Sequence, residues 1–174
     1  MVININIFFL ILLFGLMIIY LFFKPLDIKQ QTFTDIPMFE ISSFTLYEID
    51  INSLSTVMKG EKAIRYSDRY LISNINYTDN SEKYIANMRA NKAVYKNEII
   101  DLNGDVRYDR EDGLAFKSQT LRYNKKTNIT TTDKEFVLYK SKNSITGTSL
   151  RYNNVSNNAA ANNVIVKYQL KEVK

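Results

Sequence analysis

The sequence predicts an all-β fold of stacked, repeated strand units behind a single apolar N-terminal helix. Three observations predict it: a tetrapeptide that returns at a fixed distance, runs of alternating apolar and polar residues beyond Met38, and an apolar stretch that opens the chain. Leu121-Arg122-Tyr123-Asn124 returns as Leu150-Arg151-Tyr152-Asn153, 29 residues on. Thr120 and Ser149 precede the two copies, and Asn128 and Asn157 stand four residues beyond the Asn that closes each. Tyr95, behind Ala93-Val94, lies 28 residues before Tyr123, and Tyr66, behind Ala63-Ile64-Arg65, lies 29 before Tyr95. A period of this size marks one supersecondary unit stacked on itself. Each unit has an apolar face that it cannot bury alone, so its neighbours must cover it. The repeated tyrosines read most simply as half-buried rungs of such a sheet.

The N-terminal helix comes first in the chain. From Ile7 to Phe23 every residue is apolar except Gly15 and the phenol tip of Tyr20. With Met1, Val2, Ile3 and Ile5 the stretch approaches the ~20 residues that cross a bilayer as a helix. Lys24 can reach the headgroups, and Pro25 discourages further helix. The start carries no basic residue and the exit, Tyr20-Leu21-Phe22-Phe23-Lys24, has no small-x-small site, which points to a retained anchor over residues 1–24 and not to a removed signal peptide. Residues 25–38, polar and holding both prolines, read as a tether, and residues 39–174 as the β domain. Lys24 and Lys29 would by charge alone weakly place that domain on the cytoplasmic side, but long domains translocate largely regardless of charge.

Period-two alternation defines the strands. Phe44 to Ile49 alternates in part; Ile100, Leu102, Gly104, Val106 and Tyr108 share one parity; Leu114 and Phe116 continue it. Leu121, Tyr123 and Ile129 then fall on the other parity, and Phe136 and Leu138 return to the first. Such phase slips predict bulges or corners. Turn signals lie at Thr78–Ser81, Asn103-Gly104, Glu111–Gly113, Asn124–Asn128 and Ser141–Ser144. Ile85 to Val94 could pass as helical, but the repeat assigns its end to the strand before Tyr95. Asn153 to Asn163 reads as a loop or an irregular edge strand, and Val164 to Leu170 as the last strand. Twelve tyrosines and ten phenylalanines without tryptophan also favour sheet. Gly104 and Gly147 read as servants of backbone geometry at bends.

Composition excludes more chemistry than it suggests. The chain has no cysteine and no histidine, which removes disulfides, thiolate and histidine relays and the common zinc sites. Asp109 to Gly113 is an acidic hairpin turn, lacking the ligand spacing of a calcium loop. No glycine loop cradles phosphate. Asn-x-Ser/Thr triplets at Asn76, Asn128 and Asn154 are what an Asn-rich chain produces by chance. The net charge of +5 could meet nucleic acid, anionic lipid or an acidic partner, but the basic residues are scattered and the stripe of a nucleic-acid module is missing. Neither an enzyme nor a cofactor is expected.

In this order the residues resemble a known family. Ala93-Val94-Tyr95, Ile99 to Val106, Asp112 to Ser118, Leu121 to Asn124, Ile129-Thr130-Thr131 and Ser144 to Tyr152 are similar to the shared domain of LptC, LptA and the periplasmic part of LptD. The helix, tether and repeated strands together resemble LptC, an inner-membrane component of lipopolysaccharide export. The resemblance covers residues 60–152. It implies a β-jellyroll open along one side, facing the periplasm, that receives lipopolysaccharide from the inner-membrane ABC transporter and passes it along an apolar groove to LptA. Acyl chains need an apolar interior, and exposed sheet edges allow strand addition.

Parity and repeat phase point Leu46, Ile100, Leu102, Val106, Phe116, Leu121, Tyr123, Phe136, Leu138, Leu150 and Tyr152 inward, as lipid lining or as core. Under the resemblance, Val164, Val166, Tyr168 and Leu170 are the surface for the next jellyroll, and Met38 to Leu46 faces the transporter. Two rival readings stay open. A membrane-anchored scaffold would have its interior packed solid. A pilin-like subunit would run its helix well past Lys24, which Pro25 and Pro37 oppose.

Overall fold

The computed structural model describes residues 5–22, 35–51 and 54–170. Helix α1 (Ile5–Phe22) forms one unit, and the residues from Thr34 onward form a second. The helix is apolar apart from Asn6 and the phenol of Tyr20, with mean hydropathy 2.7, and every residue of it is exposed. At 18 residues it spans about 27 Å, close to the hydrocarbon thickness of a bilayer. Residues 1–4, 23 and 24 of the expected anchor, and 25–34 of the expected tether, lie outside the described residues.

The second unit is a single ten-stranded sheet in which every pairing is antiparallel. Its strands are β1 (Phe39–Ile49), β2 (Leu54–Arg65), β3 (Tyr70–Asp79), β4 (Ala86–Lys96), β5 (Ile99–Arg110), β6 (Leu114–Asn124), β7 (Ile129–Thr131), β8 (Glu135–Lys140), β9 (Asn143–Asn153) and β10 (Asn158–Lys167). They lie side by side in chain order, except that β6 pairs with β7 along one half and with β8 along the other. Strands β1 and β10 are the two edges. This is the all-β, jellyroll-like slab that the sequence predicts.

The repeat period corresponds to one hairpin. Tyr66 follows the end of β2, while Tyr95, Tyr123 and Tyr152 sit at the ends of β4, β6 and β9. Asn124 Oδ1 accepts from the Lys126 and Thr127 amides at 3.0 and 3.1 Å, and Asn153 Oδ1 from the Val155 and Ser156 amides at 2.9 and 3.1 Å. Asn128 and Asn157 close the two turns in the left-handed region, with φ of 54° and 55°. Each is capped by its own tyrosine: Tyr123 Oη donates to Asn128 Oδ1 and Tyr152 Oη to Asn157 Oδ1, both at 2.8 Å. The recurring Leu-x-Tyr-Asn with Asn four residues on is therefore a turn cassette. Asparagine serves there because it tolerates the left-handed conformation better than other side chains.

A crease crosses the whole sheet. Left-handed residues interrupt strands in mid-course at Ser43 in β1, Asn74 in β3, Gly104-Asp105 in β5, Ser149 in β9 and Asn163 in β10. The β4/β5 and β5/β6 registers slip at the same level, between Arg89 and Lys92 and between Asn103 and Val106. Facing β6 there, the chain breaks between β7 and β8. Ser118, Thr120 and Thr132 join their hydroxyls across that break at 3.2 Å, and Ser118 Oγ donates to the Glu135 carbonyl at 2.8 Å. Buried hydroxyls thus find partners where the ladder stops. Bulges bend strands and increase local twist, and a line of them folds the sheet into two leaves.

Two expectations are corrected. Asn103-Gly104 does not separate strands; it lies inside β5 and makes its bulge. The last strand is Asn158–Lys167 and not Val164 to Leu170, so Tyr168 and Leu170 lie beyond it, while Asn158 to Asn163 is the irregular first half of β10, bulged twice against β9. The register had to slip there to follow the crease.

Candidate functional site: the inner face of the folded sheet

Cross-strand partners share a face, so the register assembles the inner face row by row. On the first leaf, the outermost row runs Phe39, Arg65, Tyr70, Tyr95, Ile100, Tyr123, Thr130, Tyr152, Ala159 from β1 to β10. Beneath it, nearer the crease, Ile41, Ala63, Ile72, Ala93, Leu102 and Leu121 form the next. On the second leaf, a row near the crease includes Ile75, Ala90, Val106, Ser118, Phe136 and Gly147. Outside it runs Leu46, Met58, Tyr77, Met88, Tyr108, Phe116, Leu138, Ile145, Val166.

All eleven residues expected to point inward occupy this face, Leu150 by standing two before Tyr152. They do not share one environment. Val106 is 0% and Leu102 2% exposed, and with Ile75, Ala90 and Ala93 they form the core that joins the leaves. Phe136 and Phe116 are also buried and stack on each other with centroids 6.0 Å apart. Ile100, Leu121, Tyr123, Leu138, Leu150 and Tyr152 are half-buried, and Leu46 is 55% exposed. The centre of the inner face is thus packed, and its outer rows and ends are open except at the buried Phe116. Of the expected partner edge, Val164 and Val166 lie on β10 and are exposed; Tyr168 and Leu170, also exposed, lie beyond its last paired residue.

Two glycines let aromatic rings lie flat against the sheet. A Cβ on Gly147 would meet the Asn162 carbonyl at 2.9 Å and the Phe136 ring at 3.1 Å, and one on Gly60 would meet the Phe44 ring at 2.6 Å. The inward set read from the sequence leaves out Met58, Tyr77, Met88, Tyr108 and Ile145, which complete the second leaf's outer row, and Phe44, which lies nearer the crease opposite Gly60, although the parity of Tyr108 was already visible. The alternation Ala86, Met88, Ala90 carried the signal, but alanine and methionine also suit a helix.

The far margin of the second leaf is charged. Arg110 binds Asp112 through Nε at 2.9 Å and Nη2 at 3.0 Å, and Lys140 Nζ reaches the same carboxylate. These two cations hold the Asp112 carboxyl well below the usual carboxylate range. Burial pushes the nearby Tyr108 and Tyr77 phenols up, keeping them neutral. A depressed carboxyl stabilises the fold fully above its unfolded pKa and loses that contribution as pH falls toward the folded one. Asp112→Asn should therefore lower the melting temperature by a constant amount above about pH 5, and the gap should narrow below about pH 4. Thermal scans of both proteins between about pH 3 and about pH 7 check this; a gap that widens in acid contradicts it.

The model of the family described as lipopolysaccharide-assembly, LptC-related, matches residues 9–161. The chain belongs to the LptC-related family. That membership gives this LptC-related chain a role in the lipopolysaccharide transport machinery, and its helix has the length and apolarity of a single-pass anchor. Among solved structures it is similar to the crystal structure of LptH, the LptA homologous periplasmic component of the conserved lipopolysaccharide transport device from Pseudomonas aeruginosa. That likeness has 12% identity and a TM-score of 0.42, covering 79% of this chain and 98% of the other. No curated protein sequence matches.

Proposed function

We propose that this chain is anchored in the inner membrane with its β unit in the periplasm, that it takes lipopolysaccharide from the ABC transporter and that it passes the lipid to LptA. One observation carries the reading: the second leaf's outer row is apolar or aromatic from Leu46 at one sheet edge to Val166 at the other, with no charged residue between. Acyl chains laid along it lose contact with water at about 25 cal/mol per Å². Because Leu102, Val106, Phe116 and Phe136 are core, the lipid path runs over the half-buried and exposed residues of the rows nearer the margins. Strand β1 would meet the transporter and β10 the next jellyroll, each by offering an unpaired edge. The chain performs no catalysis in this scheme.

The packed centre favours the competing reading, a scaffold without lipid transport. Photo-crosslinking in cells separates the two. A photoreactive residue in place of Leu46, Tyr77, Ile145 or Val166 should capture lipopolysaccharide, and one at Leu102 or Val106 should not. Absence of adducts at all four row positions would leave the scaffold.

A further inference from the structure

The trough has two unlike margins, and the first leaf's carries a line of tyrosines with cations resting on it. We propose that the phosphorylated sugar headgroup of the transported lipid rides along the first leaf's margin, on a rail of tyrosine rings flanked by Arg65 and Lys125. This rests on the function proposed above.

The outermost row of that leaf places Tyr70, Tyr95, Tyr123 and Tyr152 on one line with Arg65. Tyr95, Tyr123 and Tyr152 are separated by one strand each, which spaces the rings by about 10 Å. Their hydroxyls are held by the turns beyond the strands: Tyr123 and Tyr152 by the asparagines already described, Tyr95 by Glu98 Oε1 at 3.2 Å. With their hydroxyls held by these turns, the rings stay in place at the margin. Sugar rings stack their C–H faces on such surfaces.

The cations of this margin rest on the tyrosines. The Arg65 guanidinium lies 5.4 Å from the Tyr70 ring centre and Lys125 Nζ 5.8 Å from that of Tyr95. Neither makes an ion pair among the described residues. Both side chains are exposed, so their donors face solvent, and guanidinium and ammonium groups are the usual partners of phosphate oxygens. Nearby Asp68 is already engaged by Lys96 and Arg69, and Glu98 accepts the Tyr95 hydroxyl.

The opposite margin has the reverse character. In its outermost row Arg110 and Lys140 are both held by Asp112, and Glu48 and Asp79 add negative charge, while Lys83 in the turn beyond lies 5.2 Å over the Tyr84 ring and Lys142 and Lys167 stand at the same end. A phosphate in that row meets neutralised donors and two carboxylates, and that margin has no line of tyrosines like the one on the first leaf. The tyrosine row with its cations, against a row neutralised by Asp112, orients the lipid: acyl chains over the second leaf's apolar row, headgroup on the first leaf's margin.

The full-length chain in nanodiscs tests this with two probes, lipopolysaccharide and the same lipid stripped of its phosphates by phosphatase. The double substitution Arg65→Glu with Lys125→Glu should weaken binding of the phosphorylated probe at least about tenfold and leave the stripped probe within about twofold. Arg65→Lys with Lys125 intact should retain binding of both. Equal binding of the phosphorylated probe by the double variant and the wild type, while a photoreactive residue at Leu46 still captures lipid, overturns the rail alone. Failure of the wild type to bind either probe overturns the rail together with the transport reading. A wild-type melting temperature in the double variant shows that any loss is not unfolding.

Discussion

Replacing Leu102 by alanine should lower the melting temperature of the β unit by about 10 °C. The side chain is 2% exposed, pairs across the ladder with Ala93 and Leu121, and packs in the cluster that holds the leaves together. Truncating a leucine in such a place removes its transfer energy and leaves a cavity, together about 3 kcal/mol. Ala93 is too small to fill the space, and the strand backbones on either side are fixed by their ladders. Each kcal/mol shifts the melting temperature by roughly 3–5 °C in a unit of this size. Leu46→Ala is the comparison. Its side chain is 55% exposed at the sheet edge, so the expected cost is within about 0.5 kcal/mol. Circular dichroism melts of the full-length proteins read both. Equal, small shifts would mean that the centre of the inner face is loosely filled, and Leu102 would return to the lipid path.

Much of this architecture was legible in the chain because alternation is a local signal. Ile100, Leu102, Leu121 and Tyr123 declare their face through their neighbours two residues away, and register then confirms them as cross-strand partners. The phase slip between Phe116 and Leu121 correctly announced a corner. Asn103-Gly104 was misread as a separator because its chemistry, a left-handed pair with φ of 78° and 45° at Gly104 and Asp105, is that of a turn. Only the continuity of β5 with both neighbours shows that the chain passes straight through it. The crease as a whole was hidden for the same reason. Each left-handed Ser, Asn or Asp is unremarkable alone, and their common level exists only once registers are known. Depth was hidden too. Val106 and Leu46 look alike as apolar residues on one face, but the first lies at the fold line and the second at an open edge. The tyrosine repeat was visible, whereas its hydroxyl partners required the turns that the following asparagines make.

Leu46→Glu should abolish lipid passage while sparing the fold, and it tests the direction of travel. Burying a leucine side chain against hydrocarbon contributes about 1.5–3 kcal/mol, and a carboxylate in its place adds a desolvation cost. The combined loss corresponds to roughly 30- to 100-fold weaker occupancy at that point. The exposed edge position makes the substitution tolerable to the sheet, so the melting temperature should move by no more than about 2 °C. If lipid enters at β1, a photoreactive residue at Val166 on the opposite edge should lose its lipopolysaccharide adduct in the Leu46→Glu background. The reciprocal variant, Val166→Glu, should keep or increase the adduct captured at Leu46, because lipid would enter and stall. Loss of adduct at Leu46 in Val166→Glu, with Val166 still labelled in Leu46→Glu, would reverse the assigned polarity of the two edges. Adducts unchanged in both variants would mean that the row from Leu46 to Val166 does not carry the acyl chains, since no hydrocarbon tail should cross a carboxylate at either end without a measurable penalty.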